Sequence, residues 1–236
     1  MQRVRSKEEG ARGCQAREDS VIAYASWTGT KSTLSVLQSG HWRLLMSPET
    51  LRRCKGKARP KWNDGTYAPY CLDNGAWSCF QQERPFDEDG FLWALEEIGH
   101  GADFVVVPDI VEGGLESLAY SKSWLPKLIG YDVLLLIAVQ DGMSTKDVSP
   151  LLGKNIGLFL GGSTEWKLNS MPAWGRVAKE KGCYFHVGRV NSIKRINMCA
   201  MAGAHSFDGT SVTQFPCTFT RLNNATNQQT LWSTLC

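Results

Sequence analysis

The stretches DVLLLIAVQ (132–140) and NIGLFLGG (155–162) decide how this chain is read. Each is a short and nearly continuous apolar run, and each ends in a polar or glycine-rich signature, Gln140-Asp141-Gly142 and Gly161-Gly162-Ser163-Thr164. Strands of a parallel sheet, covered on both faces, have that pattern. Outward from this pair the pattern recurs at VIAYASW (21–27), HWRLLMS (41–47), APYCLDNG (68–75), DFVVVPDI (103–110), CYFHVGR (183–189) and HSFDGTSV (205–212). Between the runs lie stretches with apolar residues at helical spacing: Glu88 to His100, Leu115 to Ile129, Glu165 to Lys181 and Ser192 to Ala202. Strands alternating with helices predict βαβ units. Eight such strands favour a closed α/β barrel, the (β/α)8 or TIM barrel, over an open sheet.

Length and composition fit that expectation. A (β/α)8 barrel takes about 200 to 250 residues, and this chain has 236, of which 42% are hydrophobic and 21% charged. Residues 1–19 are charged and poor in apolar residues, which predicts a flexible tail and no secretory signal. Residues 20–215 then make the barrel and 216–236 a C-terminal extension. The connection between the second and third strands reads as irregular, an insertion. No apolar run reaches the roughly 18 residues of a membrane span. The eight cysteines show neither CxxC spacing nor a zinc-finger histidine. A reducing, cytoplasmic compartment is therefore expected, with no structural metal.

The net charge of +3 excludes little, but its distribution says more. Arg52, Arg53, Lys55, Lys57, Arg59 and Lys61 form a basic run ahead of Trp62 with no acid among them. Such a run reads either as a solvated loop or as a contact for nucleic-acid phosphates.

The polar residues fall where a barrel enzyme needs them. The third run ends in Asp73-Asn74-Gly75, the fourth in Pro108-Asp109, the seventh in His186-Val187-Gly188-Arg189 and the eighth in Asp208-Gly209-Thr210. Each alone reads equally as a turn or a helix cap. Together they would ring the C-terminal mouth of a barrel, where active sites lie.

The segments CLDNGAWS (71–78), FVVVPDIVEGG (104–114), LIAVQDGM (136–143), LFLGGSTEWK (158–167), FHVGRVNSIKRI (185–196) and AHSFDGTSV (204–212) resemble the tRNA-guanine transglycosylases. They are more similar still to the short phage and bacterial enzymes that place 7-deazaguanines in DNA. The resemblance implies Asp208 as nucleophile and Asp73 as general acid/base. It implies Asp109 and Gln140 on the guanine edge, and Gly161 or Gly162 offering a backbone N–H to the base carbonyl. His186 is a further candidate for contact with base or sugar. Arg189, Lys194 and Arg195, around the start of the helix after the seventh strand, are candidates for phosphate, as are Arg52, Arg53, Lys55 and Lys57. The tRNA enzymes carry a cysteine-rich zinc lobe and an arginine-rich stretch after the nucleophile. Here that region has only Cys217, Cys236 and Arg221. The resemblance therefore implies DNA and a free 7-deazaguanine as partners, and no cofactor. Exchange in tRNA, base hydrolysis, a non-catalytic DNA-binding barrel and a phosphate-binding barrel for a small metabolite stay open at this level.

Overall fold

The apolar runs become the strands of one closed, all-parallel barrel. In this computed structural model, residues 21–54 and 59–232 are described, with side chains as far as Asn227. The strands are β1 (Ile22–Ser26), β2 (Arg43–Met46), β3 (Tyr70–Leu72), β4 (Val105–Val106), β5 (Leu135–Val139), β6 (Ile156–Leu160), β7 (Phe185–Val187) and β8 (Ser206–Asp208). They pair in chain order, and β8 closes onto β1 with Tyr24 opposite Asp208. The helices are α1 (Lys31–Ser39), α2 (Pro48–Arg53), α3 (Ala76–Gln81), α4 (Glu88–Ile98), α5 (Gly114–Leu128), α6 (Thr145–Val148), α7 (Thr164–Lys181), α8 (Ile193–Met201), α9 (Ser211–Gln214) and α10 (Phe219–Trp232).

Strand alternation divides the apolar residues between two cores. Tyr24, Cys71, Phe104, Val106 and Leu136 fill the barrel interior. Their neighbours Leu72, Val105, Val107 and Ile137 face outward, in a shell with Leu95, Trp124, Met171, Trp174 and Ile196 of the helices. The runs look continuously apolar because both faces are covered. A fully buried Leu or Phe in either core contributes about 1.5–3 kcal/mol of transfer free energy.

Local signals set the long helices. Asp87 caps α4 by accepting from the Gly90 N–H, Ser163 caps α7 and Ser192 caps α8. The α7 helix ends at Gly182 in the left-handed conformation, φ +58°. The connection between β2 and β3 begins as α2, capped reciprocally by Ser47 and Thr50. The predicted tail 1–19 lies outside the described residues. The segment set apart as an extension supplies α10, which packs on α8. Trp42 Nε1 donates to Asn223 Oδ1 at 3.0 Å, which ties α10 to the start of β2. Among the described residues no helix is long and apolar enough to cross a membrane.

Candidate active site

Because all eight strands run the same way, their C-terminal ends share one mouth. Asp208 is the last residue of β8, Asp73 follows β3, Asp109 follows β4 through Val107 and Pro108, and Gln140 follows β5. The proton affinity of Asp73 is raised by both Asp208 and Asp109, so Asp73 lies within electrostatic reach of each of them.

Asp208 is buried and held from one side. Its Oδ2 lies 3.1 Å from His186 Nε2 and accepts the Arg189 backbone N–H at 3.2 Å. Among the described residues Oδ1 has no hydrogen-bond partner, so one oxygen is anchored and the other is free. His186 Nδ1 lies 2.7 Å from Ser206 Oγ. A carboxylate only accepts, so Nε2–H is the donor that suits Asp208, and the Ser206 hydroxyl meets the other ring nitrogen. Phe159 stacks on the imidazole at 4.8 Å between ring centroids. The close approach of the next strand end requires a glycine: a Cβ on Gly188 would sit 2.9 Å from the Phe159 ring and 3.3 Å from Asp208 Oδ2.

Asp73 is in a different environment. Its Oδ1 accepts the Gly75 N–H at 2.7 Å, which favours the charged form. Burial outweighs this and, with Asp208 and Asp109 adding repulsion, pushes its carboxyl up to about 7. Asp109 is pushed up to about 6 by burial, against a hydrogen bond from Asn74 that lowers it. Asn74 joins the two strand ends. Its Nδ2 donates to Val107 O at 2.9 Å and to Asp109 Oδ1 at 2.8 Å, and its Oδ1 accepts the Ala76 N–H at 2.8 Å.

The opposite rim is built from β6 and β7. Asp141 accepts the Ser163 N–H and hydroxyl, both at 2.6 Å. Burial works to raise the Asp141 carboxyl, but those bonds and the Arg189 charge hold it below the usual carboxylate range. Gly162 has φ +73°, and a Cβ there would fall 2.5 Å from Asp141 Oδ2, so glycine is required on both counts. The Arg189 guanidinium donates to Gly162 O and lies 4.4 Å over the Trp77 ring on α3, so it reaches across the mouth from β7 towards β3.

The geometry corrects several expectations. His186 is fully buried, with one nitrogen against Ser206 and the other against Asp208, so both are already engaged within the barrel. The Gly161 N–H is taken by Val139 O at 2.9 Å in the sheet, whereas that of Gly162 has no partner among the described residues. The Gln140 amide donates to Ile110 O at 2.8 Å, which leaves its Oε1 as an acceptor and its second N–H for a ligand. Arg189 is bound over the mouth, engaged with Gly162 and Trp77. Lys194 is exposed and Arg195 half-buried in the first turn of α8, neither with an ion pair among the described residues.

The described residues of the basic run do not line this mouth as one surface. Arg52 pairs with Asp87 at 2.7 Å, and Arg53 pairs with Glu49 one helical turn away. Arg59 lies over Tyr67 and Tyr70, and Lys61 over Tyr67. Tyr70 opens β3, so Arg59 sits at the end of the barrel opposite the carboxylates. Lys55 and Lys57 lie outside the described residues.

Sequence reasoning missed Asn74, which reads as a turn residue in Asp-Asn-Gly, and Lys167, which reads as an exposed helix position. Only the apolar surroundings of Lys167 on α7 carried a signal for its burial. A scan against protein-family models gives no match for this chain, and a search of curated proteins gives none either.

Proposed function

We propose that this barrel is a transglycosylase that exchanges guanine in DNA for a 7-deazaguanine through a covalent aspartyl-glycosyl intermediate. One observation carries the reading: two carboxyl groups at the mouth are held differently, Asp208 by hydrogen bonds to one oxygen and Asp73 by burial that raises its proton affinity. Asp208 has one oxygen anchored by two N–H groups and the other free, the arrangement of a nucleophile. Asp73, at about 7, can hold or release a proton near neutrality. Such division of labour between two carboxyls is the logic of retaining glycoside chemistry.

The steps balance. Asp208 Oδ1 bonds to C1′ as the C1′–N9 bond breaks, and the departing guanine takes the Asp73 proton. The entering base returns a proton from its N9 to Asp73 while N9 attacks C1′ and releases Asp208. Asp109 complements the N1–H and 2-amino donors of the base, the second Gln140 N–H supplies a donor, and the Gly162 N–H meets O6. The target nucleotide leaves the helix to reach this mouth. Lys194 and Arg195 are the side chains best placed to take its phosphates.

DNA is favoured over tRNA because the residues after β8 form α9 and α10 packed on the barrel, with no separate lobe among the described residues. The test is mass spectrometry of nucleosides from DNA and from tRNA, each incubated with the protein and a panel of 7-deazaguanines. A modified deoxynucleoside that D208A does not produce is the expected result. Modification of tRNA alone would move the substrate, abasic sites without added base would make the protein a hydrolase, and no reaction with any base or nucleic acid would end the reading.

A further inference from the structure

Helix α7 carries a cation that the exchange chemistry has not used. Lys167 is 1% exposed, and its Nζ donates to the carbonyl oxygen of Gly188. The N–H of the same peptide group, that of Arg189, donates to Asp208 Oδ2 at 3.2 Å. A single amide plane therefore stands between a buried ammonium and the carboxylate, its oxygen towards the cation and its N–H towards the anion. Arg189 adopts φ +58°, a left-handed conformation that a residue other than glycine rarely takes unless its surroundings impose it.

The groups around Lys167 fit this arrangement. Arg189 follows β7, Arg195 and Cys199 lie on α8, and Asp208 ends β8. Two of these are cations that oppose a charge on Lys167, and Asp208 is the one carboxylate among them. No ion pair within 4.0 Å joins Lys167 to a carboxylate among the described residues. A buried ammonium without a direct counter-ion is costly, so its presence here calls for a role beyond packing.

We infer that Lys167 is a positioning residue for the nucleophile: its ammonium fixes the Gly188–Arg189 peptide so that the Arg189 N–H anchors Asp208 Oδ2 and aims Oδ1 at the sugar. The inference rests on the proposed exchange reaction for its kinetic consequences only. The orientation of the peptide is testable without turnover.

Replacing Lys167 with Met keeps the apolar stem and removes the charge. In the folded K167M protein, kcat for base exchange should fall on the order of tenfold to a hundredfold, the value of a hydrogen bond to a charged group. KM for the base should stay within about twofold, and K167R should recover most of the loss. Hydrogen exchange at the Arg189 amide gives the second readout. Its protection should drop in K167M. In the unmodified protein it should drop as pH passes about 8, where burial, with Arg189 and Arg195 nearby, sets loss of the Lys167 proton. Folded K167M that exchanges bases at the unmodified rate, while D208A is inactive, would overturn the inference. So would Arg189 protection that is indifferent to pH between roughly 7 and 9.5, a measurement that stands even if K167M does not fold. If D208A itself still exchanges bases, the proposed reaction has failed, and the amide measurement alone decides on Lys167.

Discussion

Replacing Asp73 with Asn should abolish base exchange and, above neutral pH, make the protein more stable. Burial, with Asp208 and Asp109 alongside, raises the Asp73 carboxyl from 3.8 to about 7. The folded state then keeps its proton through a range in which the unfolded chain has lost it. Stability is untouched below about 3.8, falls as pH rises to about 7 and stays lowered beyond that. The full difference of about 3 pH units corresponds to a ceiling of about 4 kcal/mol. Asp73 keeps some contact with solvent at the open mouth and shares its titration with two other carboxyls, which brings the expected gain to about 1–2 kcal/mol. Asn keeps the oxygen that accepts the Gly75 N–H, so the local turn survives. For a chain of this size that gain raises Tm by roughly 2–8 °C. Thermal melts of both proteins at pH 4.5 and pH 8.5 check it. The difference should be small at the lower pH and largest at the higher one. A D73N protein that is less stable at pH 8.5, or whose advantage is the same at both values, would refute the account of Asp73 as a strained, buried acid.

Three further outcomes follow from the same geometry. Asn74→Ala leaves Val107 O, the Ala76 N–H and Asp109 Oδ1 without their partner, so it should destabilise the fold by about 2–3 kcal/mol in denaturant titrations. It also removes the bond that lowers Asp109, so the Asp109 carboxyl should rise above about 6 and KM for the base should worsen more at pH 6.5 than at pH 8.5. Gly162→Ala forces a side chain into φ +73° and against Asp141 Oδ2, and should cost about 1–3 kcal/mol with loss of the Ser163–Asp141 contacts, read from melting curves. His186→Phe keeps a ring against Phe159 but removes an anchor of Asp208, and should slow formation of the glycosyl-enzyme by about tenfold or more in single-turnover experiments.

The barrel was legible because its signal is repeated. Eight apolar runs recurring along the chain, six of them closed by a polar or glycine-rich end, constrain one another even though β4 is only two residues long. The ring of strand-end residues followed from topology alone, since parallel strands bring their C-termini together. What each residue does there was less legible, because a single strand end has no information about its neighbours across the barrel. His186 shows the difference. Its place at the end of a strand marks it for the mouth, but the alternation of β7 turns it into the barrel, where Ser206, Asp208 and Phe159 surround it. Gly161 and Gly162 are adjacent and alike in sequence. The first completes the β6 ladder and the second turns away from it, so among the described residues only the N–H of the second has no partner. The described part of the basic run is dispersed for a related reason: contiguity in sequence is not contiguity on a surface. Its described residues Arg52, Arg53, Arg59 and Lys61 extend from α2, beside α4, towards the start of β3, and their charges meet Asp87, Glu49 and the rings of Tyr67 and Tyr70. Lys167 and Asn74 are the opposite case. Their identities promise solvent or a turn, and only the packed structure shows that each is held by backbone groups of another strand end. A contact with a strand end distant in sequence cannot be assigned from a residue's own neighbourhood, and in this barrel such contacts tie Asn74 to Asp109 and Lys167 to the peptide whose N–H holds Asp208.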